Sequence, residues 1–239
     1  MKLIQSIIEK TLHSAVVVSK EKITTATYHL TLKLNSDSFV HYIPGQHLRI
    51  VTGTGKLSAL GDLVRTYSVW HYDSNRQEIQ LAICNFSNGS GAKWIQNLKA
   101  GDLVYFKGPE GKLTINPETR NHIFLGDTSS LAHLYELSRN TGPDNRSYGI
   151  VYSASKEHIF EDVSHNNRFG FLTSPIDAIN EIISEIAWNS PSADNTTVYI
   201  AGEAAFCIAL HGYFKKALQF PARQIKTKPF WQPGKKGLE

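Results

Sequence analysis

Sulfur is scarce in this chain, with one methionine and two cysteines among 239 residues. Cys84 and Cys207 stand far apart without paired spacing, which excludes an iron–sulfur cluster or a structural zinc held by the chain's own thiols. His122, His133, His158 and His165 form no helical metal pair, so no metal centre is expected. No apolar run reaches membrane-spanning length. The apolar start from Met1 to Val18 is broken by Glu9, Lys10 and His13, unlike the uninterrupted core of a signal peptide. The last two absences predict a cytoplasmic protein without membrane insertion, and a monomer is expected. A strong excess of one charge is missing too: 25 Lys plus Arg face 21 Asp plus Glu, a net charge of +4 that favours anionic ligands. No basic run is interleaved with a recognition module, and no nucleic-acid partner is expected.

What is present divides into two rhythms. Leu3, Ile4, Ile7, Ile8 and Leu12 recur at helical spacing and predict a short amphipathic helix. The period then drops to two. Apolar residues alternate with polar ones over Tyr28 to Leu34 and again at Ile79, Leu81 and Ile83, and strands also fit His47–Val51, Thr66–Trp70 and Leu103–Lys107. Short strands with Gly-rich turns predict a small antiparallel β-barrel over residues 1–117. From about residue 120 strands alternate with helices. Strands are expected at Ile123–Leu125, Tyr148–Ser153, Phe169–Leu172 and Val198–Ala201. Helices are expected at Leu131–Arg139, near 157–163, at Ile176–Trp188 and at Ala204–Leu218. This is the pattern of an α/β domain with a parallel sheet, placed at 118–239 with the join near Asn116-Pro117-Glu118-Thr119.

Three segments of the first half carry chemistry. Arg65-Thr66-Tyr67-Ser68 offers a fixed cation for a pyrophosphate, an aromatic face for a flat ring, and a small hydroxyl for a ring nitrogen or carbonyl. Upstream lies Pro44-Gly45-Gln46, and downstream Gly89-Ser90-Gly91-Ala92 opens a helix containing Lys93 and Trp94. The backbone N–H groups of such a helix start hold an anion, and small residues let a phosphate approach closely. A surface arginine beside a Ser-capped helix is the plainer alternative. The order of the three segments favours a flavin site.

A barrel followed by a parallel sheet, with these motifs in this order, resembles the ferredoxin-reductase superfamily of flavoproteins over most of the chain. The resemblance implies FAD: Arg65 on its pyrophosphate, Tyr67 against the isoalloxazine or ribityl chain, Thr66 beside them, and Ser68 as the catalytic residue near the ring where hydride arrives. Gly89, Ser90, Gly91, Ala92 and Trp94 would form the second clamp. Within the superfamily, Gly126-Asp127-Thr128-Ser129-Ser130-Leu131, Ala201-Gly202-Glu203-Ala204-Ala205 and Phe230-Trp231-Gln232-Pro233-Gly234 are similar to segments of the siderophore-interacting proteins, a branch of ferric-siderophore reductases. That similarity implies an enzyme passing electrons from NADPH or NADH through FAD to a ferric siderophore or other ferric chelate. Asp127, Thr128, Gly202 and Glu203 would then face the dinucleotide, and Trp231 would shield the flavin.

Other readings stay open. The chain departs from the siderophore branch at Cys84-Asn85, Ala132-His133 and Gln232. Asp127 with Thr128 has the alternative of capping a helix. Arg139, Arg146, Ser153 and Lys156 are candidates for a 2′-phosphate. Lys226 and Lys228, with Lys235 and Lys236, form a candidate docking surface for an anionic chelate, or a solvated charge run. A general flavin or ferredoxin-type reductase with a protein or quinone acceptor is the alternative enzyme, and a non-catalytic flavin- or siderophore-binding module the alternative class.

Overall fold

The computed structural model describes residues 11–35, 39, 41–53, 64–166, 169–173, 178–189 and 191–235. The amphipathic helix expected from Leu3 falls almost wholly outside the described residues, as do the start of the helix expected at Ile176 and Lys236. The chain divides into two compact units, one ending at Lys112 and one running from Leu113 to Leu238. Asn116 belongs to the second: its N–H donates to Tyr199 Oη (2.7 Å) and its amide to Thr197 Oγ1 (3.1 Å).

Among the described residues the first unit is an antiparallel sheet of seven strands, β1 (His13–Lys22), β2 (Thr27–Leu34), β3 (His47–Val51), β4 (Val64–Ser68), β5 (His71–Asp73), β6 (Glu78–Cys84) and β7 (Leu103–Glu110), with a helix, α1 (Ser90–Asn97), before the last strand. Their order across the sheet is β4-β3-β7-β1-β2-β6-β5. Alternation of apolar and polar residues sends Ile79, Leu81 and Ile83 inward, and Leu30 and Leu32 lie opposite Leu81 and Ile79 on the neighbouring strand. The two edge strands are consecutive in the chain. Only Val69 and Trp70 join them, Val69 N–H donating to Gln46 O (3.2 Å) on one side and Trp70 N–H to Gln80 O (2.8 Å) on the other. Two residues cannot span a flat sheet of seven strands about 4.8 Å apart, so the sheet is rolled until its edges approach.

The second unit is a parallel sheet in the order β10-β9-β8-β11-β12. Its strands are β8 (Asn121–Asp127), β9 (Arg146–Tyr152), β10 (Phe169–Leu172), β11 (Thr196–Glu203) and β12 (Ile225–Trp231), joined through α2 (Leu131–Arg139), α3 (Ala178–Asn189) and α4 (Ala204–Lys216). β8 and β11 are almost continuously buried, as strands covered on both faces are. The helix expected near 157–163 is a single 3₁₀ turn, Lys156–His158, opened by Ser155 Oγ accepting from Glu157 N–H (3.3 Å). β12 was not expected as a strand. It is an edge strand, where Pro229 and two lysines are tolerated. The chain builds outward from β8 through β9 to β10, then returns to the other side of β8 with β11 and β12. Strand order therefore reverses between β8 and β11, and the carboxyl ends of those strands border the crevice where sheets of this kind take ligands.

Candidate functional site

In the first unit, strand alternation puts Arg65 and Tyr67 on one face of β4 and Thr66 and Ser68 on the other. The start of α1 packs on the Arg65–Tyr67 face. A Cβ placed on Gly91 would lie 2.6 Å from Tyr67 Oη and 3.3 Å from Arg65 Cγ, so only a residue without a side chain lets the helix come this close. The Tyr67 ring stacks on Trp94, centroids 5.9 Å apart. Burial raises the Tyr67 pKa, outweighing the nearby Arg65 charge, so its phenol stays protonated and can donate. Arg65 Nη1 donates to Val64 O (2.6 Å), turning the guanidinium back along its strand. Helix α1 opens at Gly89 with no side-chain cap and no acidic residue in its first turn, leaving the positive end of its dipole uncompensated by side chains. Its far end is anchored: Lys20 Nζ on β1 donates to the carbonyls of Ile95 (3.1 Å) and Gln96 (2.9 Å).

At the crevice of the second unit the arrangement is reversed. Asp127 ends β8 and is buried; its Oδ1 accepts from the Ser129 N–H (2.8 Å) and the Ser129 hydroxyl. Oδ2 accepts from the Glu203 N–H (2.7 Å) and from Trp231 Nε1 (3.0 Å). One carboxylate thus joins the ends of β8, β11 and β12. Glu203 in turn caps α4, its Oε2 accepting from Phe206 N–H (2.8 Å). Burial raises the Asp127 pKa despite these four donors. Burial, followed by the charges of Asp127 and Glu203, pushes the neighbouring Cys207 thiol up to about 12, so it remains protonated.

Residues 14–115, most of the first unit, match the family model described as the oxidoreductase FAD-binding domain. Over 173 residues the chain is 29% identical to NADH-cytochrome b5 reductase 2 of Yarrowia lipolytica, covering 63% of this chain and 60% of that protein. It spans about half the length of the curated relatives it matches. The siderophore-interacting protein of Acinetobacter baumannii superposes with a TM-score of 0.80 at 13% identity, covering 94% of this chain and 92% of that one. A siderophore utilization protein from T. fusca gives a TM-score of 0.75 at 18% identity over 96% and 95% of the two chains. The chain has the fold of the siderophore-interacting proteins. An antiparallel unit that matches the FAD-binding family model is followed by a parallel α/β unit; they are called the flavin unit and the nucleotide unit below.

The residues of the flavin unit fit FAD. A guanidinium, a helix start without a side-chain cap and a glycine approach are a donor set for a diphosphate, and Tyr67 with Trp94 offers aromatic surface for a flat ring. Asn85, immediately after β6, has a buried Oδ1 with no hydrogen-bond partner among the described residues, an acceptor that a ligand donor would satisfy. Arg65, Tyr67, Gly89, Gly91 and Trp94 are thus gathered in one place, with Ser90 and Ala92 on the same helix start. Thr66 and Ser68 alternate to the opposite face, in register with Arg49 and His47.

In the nucleotide unit, Asp127, Gly202, Glu203 and Trp231 are gathered, and Thr128 joins through its hydroxyl to Tyr152 O (3.4 Å). The Ser129 N–H at the turn start is taken by the carboxylate of Asp127, as the capping alternative for Asp127 has it, and the Glu203 carboxylate is committed to its own helix. Arg139 is not positioned for a 2′-phosphate, because it pairs with Glu136 and Asp162 in a buried cluster. Arg146 starts β9 at the end of the sheet away from the crevice. Lys226 does not present its ammonium for docking: Nζ donates to Thr114 O (2.8 Å), and burial lowers its pKa. Lys228 lies half-buried on the same strand. His133 packs edge-on to Phe230 of β12 at 5.6 Å. Sequence reading missed Asn85, Lys20 and Ser129 as members of these sites. The Lys20 contact spans 75 positions and has no local signal. Ser129, two residues from an Asp ending a strand, carried the signal of a turn that was available.

Proposed function

We propose that the chain is an FAD-dependent reductase carrying electrons from NADPH or NADH to a ferric siderophore or other ferric chelate, with release of Fe(II). The observation that carries the redox reading is the constellation of Arg65, Tyr67 and Gly91 at the start of α1 in a unit matching the FAD-binding domain. The ferric substrate is supported by the likeness of the fold to siderophore-interacting proteins. FAD, when bound, supplies the conversion of a two-electron donor into two one-electron deliveries. The balance is one NAD(P)H oxidised, two Fe(III) centres reduced to Fe(II), and one proton released. Arg65 and the α1 start hold the diphosphate, and the protonated Tyr67 phenol orients the ligand on the Trp94 side. Ser68, the last residue of β4 and on its other face, is proposed to approach the ring past the end of the strand as the catalytic residue. Fe(II) is a softer, less highly charged ion than Fe(III), so a hard-oxygen chelate loosens on reduction and the ligand survives intact.

Within this reading the rolled sheet of the flavin unit closes as a small barrel, the functional boundary lies near Pro117, and the protein works in the cytoplasm as a monomer. The test is anaerobic mixing of the reduced holoprotein with ferric chelates. Reduction faster than by an equal concentration of free reduced flavin is expected; equal rates would remove the substrate. A second reading has its own support, since the curated relatives are named NADH-cytochrome b5 reductases. Rapid reduction of a haem or quinone acceptor with indifference to ferric chelates would favour it.

A further inference from the structure

The crevice of the parallel sheet carries its own anion. In sheets of this construction the backbone N–H groups following the strands at the switch point take a ligand's phosphate. Here the N–H groups of Ser129 and Glu203, the second residue after β8 and the last of β11, both point to the Asp127 carboxylate. The same carboxylate takes the indole N–H of Trp231 at the end of β12. Gly202 has φ of +129°, and a Cβ there would stand 2.6 Å from Asp127 Cγ, so the backbone of β11 is bent around the carboxylate. Two oxygens with four donors leave little capacity for another contact. Trp231 is nonetheless 44% exposed, so its edge is fixed while its face stays open.

We propose that Asp127 is a positioning residue of the nucleotide unit: a built-in anion that keeps ligand phosphate off the switch point and fixes the Trp231 indole as one wall of the crevice. The crevice then accepts the uncharged or cationic part of a dinucleotide, the nicotinamide with its ribose, and the diphosphate lies elsewhere. The assignment rests on the reading of this unit as the dinucleotide-binding one. Its physical basis is repulsion: a phosphate placed on these donors would meet a buried carboxylate at contact distance.

The test uses the full chain loaded with FAD and labelled with ¹⁵N in its four tryptophans, Trp231 being identified by the resonance lost in Trp231→Phe. In the parent protein the Trp231 indole N–H exchanges slowly with solvent and does not respond to inorganic pyrophosphate. In Asp127→Ala the signal moves toward that of a solvated indole and exchanges at least tenfold faster. Added pyrophosphate then restores protection, because it takes the place of the carboxylate. An unchanged Trp231 signal in Asp127→Ala, or a response to pyrophosphate in the parent, overturns the proposal. Asp127→Asn keeps the shape and guards against loss of folding. It is expected to raise the KM for the nicotinamide dinucleotide several-fold at nearly constant kcat, Trp231→Phe to do the same, and the double variant to go no further. Additive effects overturn the coupling. Absence of any NAD(P)H oxidation by the parent would sink the dinucleotide reading, and the indole measurement would still decide the role of Asp127.

Discussion

The two units each present helix starts beside the carboxyl end of a strand or a turn, and they treat them in opposite ways. In the flavin unit, α1 begins at Gly89 without a side-chain cap, no acid stands in its first turn, and Arg65 and Tyr67 lie against it. In the nucleotide unit, the turn after β8 is capped by Asp127 and α4 by Glu203. One region lacks an anion and the other contains one. The same backbone physics, unsatisfied N–H groups at a helix start, therefore leaves donors open to a diphosphate in the first case and ties strand ends together in the second. A Gly-rich or Asp-rich turn after a strand does not by itself announce a phosphate site. What fills the donors decides.

The largest expected effect that separates the two regions is on FAD. Arg65→Ala removes a cation from the diphosphate and should weaken FAD binding by about 3 kcal/mol, roughly a hundredfold, read by titration of apoprotein with FAD. The nucleotide unit should melt unchanged in that variant. Next comes the converse break. Gly202→Ala puts a side chain into a left-handed conformation and against the Asp127 carboxylate, and should destabilise the chain by about 3 kcal/mol in urea unfolding. Gly91→Ala sharpens the contrast, because here φ is ordinary and only space is at issue. Helix propensity favours the alanine by about 1 kcal/mol, yet its Cβ must displace a Tyr67 ring stacked on Trp94. FAD affinity should fall about tenfold while the thermal midpoint hardly moves, since about 1.4 kcal/mol of binding corresponds to that factor. A rise in both would show that the Tyr67 contact is dispensable.

The smallest effect is one of pH and is shared by both units. His29 and His122 have pKa values lowered chiefly by burial; Gln80 and Glu21 partly offset this at His29, while Lys226 adds to it at His122. Both are therefore neutral in the folded chain at pH values where the unfolded chain takes up protons. Stability is complete above the ordinary histidine value of 6.5 and is lost as pH falls through it toward the lowered folded values. Melting temperature should drop with acidification over that window, and His122→Asn should flatten the slope. A melting temperature that rises on acidification would reverse the assigned direction.

Much of this organisation is visible in the residues alone, and the parts that are not share a cause. Helix α2 runs from Leu131 to Arg139 and β10 from Phe169 to Leu172, as apolar periodicity and bounding polar residues indicate. Arg65, Tyr67 and Gly91 are legible because function there needs rare residue types in a short order. β12 is not legible: its lysines read as a docking surface or a charge run, its proline argues against a strand, and only its place at the sheet edge beside β11 makes it one. Asp127 illustrates the deeper difficulty. Local sequence showed an acid at a helix start, but its ties to Glu203 and Trp231 are made across 76 and 104 positions. Sequence patterns report what neighbours along the chain do to one another, whereas this carboxylate is held by strands that meet only in the folded sheet.

Titration of the purified apoprotein with FAD, followed by visible absorption, tests the central claim most directly. A saturable, one-to-one perturbation of the flavin bands, strongly weakened in Arg65→Ala, is the predicted result. Flavin bands that stay those of free FAD at every protein concentration would contradict the assignment of the Arg65–Tyr67–Gly91 site, and with it the electron-transfer function.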